Sequence, residues 1–223
     1  MILSFDLDDT LYDEITFVKS GLQAVSKYLF QMYSISLKDS SHFLEDRLTI
    51  GREKILDDLL IKFGIYSKNE VKKCLSVYRS HNPNIQLSQE ANECLNRFKI
   101  FSLYIVTDGN RNVQKNKIIS LGLDKKVKFC FFTSHYGLKN IKPSPYCFLK
   151  ICDREKVNPS DVLYIADDPN KDFVGIKPLG FKTIRILQGH FKDIKKSKKF
   201  KADYTISSLS ELTLDLIKKL IKN

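Results

Sequence analysis

Two carboxylates follow directly on the apolar segment that opens this 223-residue chain. Residues 1–5 read MILSF, and Asp6 and Asp8 come next. A short apolar run of this kind predicts a buried strand, with both acids at its carboxyl end. In an open α/β sheet this edge is where ligands bind. Because the chain is leaving the strand there, both side chains can turn toward one small centre, where one carboxylate attacks and the other moves a proton.

Three later segments also place polar residues at the ends of predicted elements. Residues 102–109, SLYIVTDG, form a second apolar strand that ends in a hydroxyl residue. Lys142-Pro143 precedes a helical stretch, and residues 161–168, DVLYIADD, end in two acids that are followed by Asp172. Together with residues 6–10, DLDDT, these segments resemble the four ordered motifs of the haloacid dehalogenase superfamily. Most members of that superfamily are Mg²⁺-dependent phosphatases with an aspartate nucleophile.

The resemblance implies a phosphoryl-transfer site with Mg²⁺ as its cofactor. Asp6 would attack phosphorus, and Asp8 would protonate the leaving alcohol and later activate water. The metal ligands would be the side chains of Asp6 and Asp167 and the backbone carbonyl of Asp8, a small oxygen set of the kind that Mg²⁺ prefers. The residues expected to bind the phosphate are Thr107 through its hydroxyl, Asp108 through its backbone N–H, and Lys142. The residues expected near the metal, or as alternative ligands, are Asp168 and Asp172.

Two positions depart from the family pattern. The fourth motif usually opens with Gly and has Ala166 here, and the second motif more often has Asn where this chain has Asp108. The resemblance implies a Mg²⁺-dependent phosphomonoester hydrolase that acts on a small phosphorylated metabolite through an aspartyl phosphate. A phosphoryl-transferring mutase and a non-catalytic phospholigand-binding protein stay open as alternatives. The halide-releasing branch of the fold lacks an acid at the position of Asp8, which disfavours a dehalogenase.

A long helical insertion is predicted between the first two motifs. The segment from Glu14 to Ser102 far exceeds the roughly dozen residues that a simple βαβ crossover needs. One amphipathic helix face is predicted from the spacing of Val18, Leu22, Val25, Leu29 and Met32. We therefore predict a helical cap over residues 15–80 and a catalytic core of residues 1–14 and 81–223. In the family, such caps close over the active site and select the substrate.

The rest of the chain alternates predicted helices and strands, as a doubly wound parallel sheet requires. The predicted fold class is therefore α/β, a Rossmann-like sheet with an inserted helical cap. The predicted helices cover residues 88–98, 111–121, 145–153, 171–179 and 210–221. The predicted strands after the second motif cover residues 127–132, 182–186 and 204–206, and a further strand is predicted to end at Ala166.

Several polar residues outside the motifs are candidates for other roles. The candidate substrate contacts are Tyr12, Arg47, Arg52, Arg79 and His81. Arginine suits a second anionic group on the substrate, such as a carboxylate or another phosphate. Asp9 is expected to be structural. Gln114 and Lys117 share one face of the helix after the second motif, and we expect them to pack or to face solvent.

The net charge of +11 is unevenly distributed. Residues 191–201 contain six lysines and one aspartate. A lysine-rich segment without arginines is more typical of a solvated surface than of a nucleic-acid site. A positive field also steers anionic substrates toward a cleft. We therefore expect a small phosphate ester as the partner rather than nucleic acid. We also expect the protein to be a monomer or homodimer.

Composition also bears on the compartment. No apolar run approaches the roughly 20 residues that span a bilayer, and the chain runs from its first residue into a predicted strand. We expect a cytoplasmic protein with no membrane partner. The five cysteines lack CxxC spacing, which predicts buried thiols.

Overall fold

The computed structural model describes residues 1–222. Its six strands form one parallel sheet in the order β3-β2-β1-β4-β5-β6. The strands are β1 (Ile2–Phe5), β2 (Ser102–Thr107), β3 (Phe129–Phe132), β4 (Val162–Ala166), β5 (Lys182–Ile186) and β6 (Tyr204–Ile206). The predicted α/β class and doubly wound sheet are confirmed. The strand order changes direction between β1 and β4, and a switch of this kind opens a ligand-binding crevice at the carboxyl ends.

The central strands are apolar because both faces of the sheet are covered. Every residue of β1 and of β4 is buried. Phe5 pairs with Ile105 on one side and with Ile165 on the other, so the three strands end almost level. The Asp6 N–H continues the ladder by donating to the Ile165 carbonyl at 2.9 Å. The residue after β1 is thereby held at the crevice.

The chain divides into two compact units, Met1–Glu14 with Gln86–Asn223, and Ile15–Ile85. The helices of the second, helical unit are α1 (Glu14–Tyr33), α2 (Leu37–Ile50), α3 (Ile55–Lys62) and α4 (Lys68–Ser80). Their interior includes Leu29, Leu44 and Leu59, all buried. Met32, placed on the buried face by its spacing, is exposed in the last turn of α1. The unit continues past Ser80, where the Asn84 N–H donates to Ser20 Oγ at 2.9 Å.

The helices of the first, sheet-containing unit are α5 (Gln89–Arg97), α6 (Arg111–Ser120), α7 (Tyr146–Glu155) and α8 (Leu214–Lys222).

The predicted helix over residues 171–179 is wrong, because only a short 3₁₀ turn, Lys177–Leu179, forms there. The preceding residues fold as turns that bring Gly175 against Pro143. A Cβ at Gly175 would lie 1.7 Å from the Pro143 carbonyl oxygen, so this approach requires glycine.

The cysteines agree with their predicted state. All five are free thiols, four are buried, and Cys130 is half-buried. Across residues 1–222, no helix combines the length and apolar character that crossing a membrane would need.

Candidate active site

The four motifs meet at the carboxyl edge of the sheet. Asp6 follows β1, Thr107 ends β2, and Asp167 follows β4. Lys142 joins them from the loop between β3 and α7. All four side chains are buried, with residue exposures of 5% or less. Polar groups withdrawn from water in this way must find partners within the protein, and the pattern of those partners defines the site.

The Lys142 ammonium is the central cation of this cluster. Its Nζ lies 2.9 Å from Asp6 Oδ1 and 2.7 Å from Asp172 Oδ1. The Tyr164 hydroxyl lies 3.0 Å from the same nitrogen. Burial lowers the pKa of Lys142, but the charges of Asp172 and Asp6 outweigh it and raise the pKa well above 10.5. The lysine therefore stays charged and holds one oxygen of the Asp6 carboxylate in place.

Asp6, Asp167 and Asp172 form a buried acidic group whose carboxylate oxygens lie within 4.8 Å of one another. Burial raises the pKa of Asp6 above 3.8, and the Lys142 charge offsets this only in part. Burial, followed by the charges of Asp6 and Asp172, also raises the pKa of Asp167. The acids thus carry more negative charge than the neighbouring cations balance. A buried set of oxygen donors with excess negative charge fits a hard divalent cation such as Mg²⁺.

The contacts of the three acids after β4 separate their candidate roles. Asp172 accepts a bond from Lys142 on one oxygen and from the Asp168 N–H, at 3.0 Å, on the other. Its carboxylate is thus engaged in orienting the lysine and the turn. Asp168 accepts two bonds from Asn170, at 2.9 and 2.7 Å, and does not join the acidic group. Asp6 and Asp167 are therefore the better candidate side-chain ligands for a metal.

Asp8 lies among a different set of partners. Its Oδ1 accepts bonds from Lys117 Nζ at 2.6 Å and from the Tyr12 hydroxyl at 2.5 Å. Its Oδ2 accepts a bond from Gln114 Nε2 at 2.8 Å. Burial raises the pKa of Asp8, but the Lys117 charge and the hydrogen bonds from these three residues outweigh it and lower the pKa below 3.8. Asp8 is therefore an ionised carboxylate held from three sides.

Gln114 and Lys117 are two residues whose part in this site the sequence interpretation missed. Both are buried on α6, with exposures of 2% and 4%, so neither faces solvent. Gln114 Nε2 also donates to Thr107 Oγ1 at 2.6 Å and so links the second motif to Asp8. Their i,i+3 spacing had placed them on one face. What the spacing did not show is that this face meets the carboxylate.

Tyr12 belongs to the sheet-containing unit rather than to the helical one. Its ring is 3% exposed and its hydroxyl donates to Asp8. Burial, together with the charge of Asp8, raises the pKa of the phenol, so Tyr12 remains a neutral donor. These contacts favour a role in orienting Asp8 over the predicted contact with substrate.

Asp108 uses its carboxylate to hold the loops around the second motif. Oδ1 accepts bonds from Thr133 Oγ1 at 2.5 Å and from the Lys142 N–H at 3.1 Å. Oδ2 lies 3.3 Å from Lys171 Nζ. Burial raises the pKa of Asp108, but the Lys142 charge, the Thr133 bond and the Lys171 charge lower it below 3.8. An ionised acid thus lies next to Thr107, at the position where the sequence predicts a phosphate site.

Asp9 anchors a loop at the same edge of the sheet. It adopts the left-handed conformation, with φ at 53°, and accepts bonds from the Glu14 N–H at 2.9 Å and the His190 N–H at 3.1 Å. A Cβ at Gly189 would lie 2.1 Å from Asp9 Cγ, so the contact also depends on glycine. These contacts agree with the structural role expected for Asp9.

Arg185 connects the lysine-rich segment to the fourth motif. Its guanidinium donates to the Asp167 carbonyl at 3.3 Å, the Ile194 carbonyl at 2.8 Å and the Phe191 carbonyl at 2.6 Å. The start of the lysine-rich segment is thereby attached to the loop that carries a candidate metal ligand.

The candidate substrate contacts of the helical unit lie in varied surroundings. Arg47 donates to Asp58 Oδ2 at 3.0 and 2.6 Å and to the Glu53 carbonyl at 3.2 Å, so its guanidinium holds α2 to α3. The ring of His81 lies 2.7 Å, through Nδ1, from the Tyr78 carbonyl. The side chains that are exposed are Arg52 and Arg79. Contact of any of these residues with substrate stays a prediction.

Comparison with known proteins places this arrangement in a family. A model of haloacid dehalogenase-like hydrolases matches residues 3–186. Glyceraldehyde 3-phosphate phosphatase of Methanocaldococcus jannaschii is 29% identical, over 98% of this chain and 97% of the relative. (S)-2-haloacid dehalogenase 1 of a Pseudomonas species is 24% identical, over 93% of this chain and 92% of the relative.

A solved structure shares the fold across the chain. The putative HAD-hydrolase YfnB from Bacillus subtilis, described as bound to magnesium, covers 98% of this chain with 97% of its own, at a TM-score of 0.65 and 21% identity. The predicted superfamily, and the predicted enzyme class of a phosphatase within it, are confirmed by the family match and the phosphatase relative. The chain belongs to the haloacid dehalogenase-like hydrolases.

Proposed function

We propose that the protein is a Mg²⁺-dependent phosphomonoester hydrolase that acts on a small phosphorylated metabolite through an aspartyl phosphate. The observation that carries the proposal is the pair Asp6 and Asp8, two residues apart and held by different partners. Asp6 is held by Lys142 within the acidic group, and Asp8 is held by α6. This difference in surroundings supports attack by one carboxylate and proton transfer by the other.

The first step is attack by Asp6. An Asp6 oxygen forms a bond to phosphorus while the bond from phosphorus to the ester oxygen breaks. Two like unit charges 4 Å apart repel by about 4 kcal/mol at an effective dielectric constant of 20, so attack on an anionic phosphate needs compensating charge. The Lys142 ammonium supplies one positive charge beside the attacking group. Held by Asp6, Asp167 and the Asp8 carbonyl, Mg²⁺ would add two more and stabilise charge on the phosphoryl oxygens.

Asp8 moves the protons of both steps. In the first step it gives a proton to the departing alkoxide. In the second it takes a proton from the water that attacks phosphorus, while the bond from Asp6 to phosphorus breaks and inorganic phosphate leaves. Asp8 therefore ends the cycle in its starting state. The bonds from Lys117, Gln114 and Tyr12 favour the ionised form, which is the form that remains after the alkoxide has been protonated and that activates water. The first step therefore requires Asp8 to take up a proton beforehand, from water or from the monoanion of the phosphate ester. They also hold the carboxylate in one orientation, as general base catalysis requires.

The relatives support a small substrate and a phosphatase rather than a dehalogenase. Glyceraldehyde 3-phosphate phosphatase matches nearly the whole chain, which makes glyceraldehyde 3-phosphate the first substrate to test. The dehalogenase relative matches somewhat less of it. A halide leaves without needing a proton, so a dehalogenase has no use for the acid that this chain holds at Asp8.

A substrate screen tests the proposal. Phosphate release would be measured from glyceraldehyde 3-phosphate, other sugar phosphates, nucleotides, phospho-sugar acids and phospho-amino acids, with Mg²⁺ or with excess chelator. We expect release from at least one small substrate with Mg²⁺ and little with chelator. The proposal is contradicted if no substrate is hydrolysed or if chelator leaves full activity.

We further propose that the helical unit, Ile15–Ile85, acts as the substrate-selecting cap. Arg79 is exposed, whereas Arg47 is paired with Asp58, so the two arginines differ in their freedom to meet an anionic substrate. Arg79→Ala should change the ranking among substrates by several-fold in kcat/KM and leave p-nitrophenyl phosphate hydrolysis nearly unchanged. Lys142→Met should impair all substrates together. If Arg79→Ala, Arg52→Ala and Arg47→Ala all kept the substrate ranking of the parent, that result would count against a cap role. Arg47→Ala should also be less stable than the parent, because it loses the ion pair with Asp58.

A further inference from the structure

The second motif carries a negative charge at the candidate phosphate site. The Asp108 carboxylate follows Thr107 directly, is ionised, and is tied to the Lys142 N–H. Such a charge repels an incoming phosphate anion, and a partly buried position strengthens the repulsion because water screens it less. A phosphatase with an acid at this position needs a compensating cation.

Lys142 cannot serve this purpose alone. Its side chain is 1% exposed, and its ammonium lies between Asp6 and Asp172, at 2.9 and 2.7 Å. Its positive charge is therefore already paired at short range with two carboxylates, those of Asp6 and Asp172. Its charge also lowers the pKa of Asp108, and does so more strongly than the charge of Lys171.

Lys171 is the second cation of the site and has no role in the mechanism described above. Its Nζ lies 3.3 Å from Asp108 Oδ2 and 3.9 Å from Asp168 Oδ2. Its side chain is 34% exposed, so the ammonium borders both the buried acids and solvent. Its charge also favours the ionised form of Asp6. The electrostatic influence of Lys171 thus extends to the nucleophile.

We propose that Lys171 and Asp108 form a charge-compensating pair, in which Lys171 is a positioning residue that cancels the repulsion of Asp108 on the phosphate of the substrate. The inference rests on the proposed function, since it needs a phosphate to bind at this site. The pair as a whole adds no net charge. Phosphate affinity therefore depends on the presence of both members, and losing either one shifts the affinity in a direction set by the charge that remains.

The two single variants should have opposite effects. Lys171→Gln leaves the Asp108 charge uncompensated and should weaken the affinity for inorganic phosphate about tenfold, which corresponds to roughly 1.4 kcal/mol. Asp108→Asn keeps an oxygen acceptor for Thr133 and the Lys142 N–H, leaves Lys171 positive, and should tighten phosphate binding several-fold. The double variant should regain most of the affinity lost in Lys171→Gln.

The measurement is the inhibition constant of inorganic phosphate, together with KM and kcat for p-nitrophenyl phosphate, in the Mg²⁺-loaded enzyme. We expect the Lys171→Gln change to fall mainly on the inhibition constant and KM. Lys171→Arg keeps the charge and should stay near the parent. Lys177→Gln is the matched control, because Lys177 is similarly half-buried and pairs with Asp203 at 2.9 Å. Thermal unfolding of every variant reports whether the fold is retained.

A purely structural salt bridge would give a different pattern. Both single variants would then lower the midpoint of thermal unfolding, and they would not shift the inhibition constant of inorganic phosphate in opposite directions. That pattern overturns this inference and leaves the proposed function in place. The same holds if the parent is active and Lys171→Gln has an unchanged inhibition constant for inorganic phosphate. A parent that neither hydrolyses phosphate esters nor binds inorganic phosphate overturns the proposed function and this inference with it.

Discussion

Asp6 and Asp8 are two residues apart, yet the protein gives them opposite surroundings. Asp6 lies in a buried acidic group where Lys142 is the cation in direct contact, and its pKa is raised. Asp8 receives bonds from Lys117, Gln114 and Tyr12, and its pKa is lowered. The two carboxylates are chemically identical, so the difference comes entirely from which neighbours the fold supplies.

This contrast supports the two different roles that we propose for the carboxylates of one short motif. On the Asp6 side, negative charge accumulates beyond what the protein balances, and a divalent cation would complete the site. On the Asp8 side, the protein itself supplies the cation from α6. Environments that push two pKa values apart commonly mark a division of labour between catalytic carboxylates. Each variant below removes one part of this contrast.

Asp6→Asn should have the largest effect. The amide is nearly isosteric but cannot attack phosphorus, so turnover should fall by at least about 10⁴-fold, as loss of a nucleophile does in two-step enzymes. The variant should be at least as stable as the parent, because it removes a buried charge whose pKa is raised. Steady-state rates and thermal unfolding check both expectations. Parental rates in this variant would remove Asp6 as nucleophile.

Asp167→Ala tests the metal side of the contrast. Excess chelator should abolish the activity of the parent, and Asp167→Ala should raise the Mg²⁺ concentration for half-maximal rate by at least about tenfold, since one of few protein ligands is lost. Asp168→Ala is the matched comparison, because Asp168 lies outside the acidic group, and its Mg²⁺ requirement should change less. Titration of activity with Mg²⁺ measures both. A larger effect in Asp168→Ala would exchange the two assignments.

Asp8→Asn should impair proton transfer while leaving attack possible. General acid–base groups contribute roughly 10²–10⁴-fold, and we expect a loss in this range with alkyl phosphates. With p-nitrophenyl phosphate the leaving group needs little protonation, so the first step should partly recover and phospho-enzyme should accumulate. Acid quenching and detection of the aspartyl phosphate measure this. Parental turnover without accumulation would argue against the role of Asp8.

Lys117→Met should produce the smallest change and the most specific one. Without the Lys117 charge the pKa of Asp8 rises, so the ionised base forms only at higher pH, and the acidic limb of the kcat profile should move to higher pH. At neutral pH we expect a loss of about tenfold, in the range that misplacement of a catalytic group produces. Lys115→Met, on the exposed face of α6, is the control. An unmoved acidic limb would separate Lys117 from the function of Asp8.

Much of the fold and of the motif core could be predicted from the sequence. The apolar strands and the acids that follow them predicted a parallel sheet with its site at the carboxyl edge, because these signals are local and periodic. Lys142 was predicted from its place before Pro143, and it does reach Asp6. In each case the residue lies directly beside an element whose pattern was clear.

The tertiary structure decided which side chains surround the motifs. Gln114, Lys117 and Lys171 are far along the chain from the acids they contact, and no local pattern shows which face of α6 or which turn will meet them. The segment over residues 171–179 was predicted to be a helix but folds mainly as turns, because Asp172 binds Lys142 and Gly175 packs against Pro143. Contacts between distant segments override local preference once the groups involved are buried, because a buried charge without a partner costs far more than a lost turn of helix.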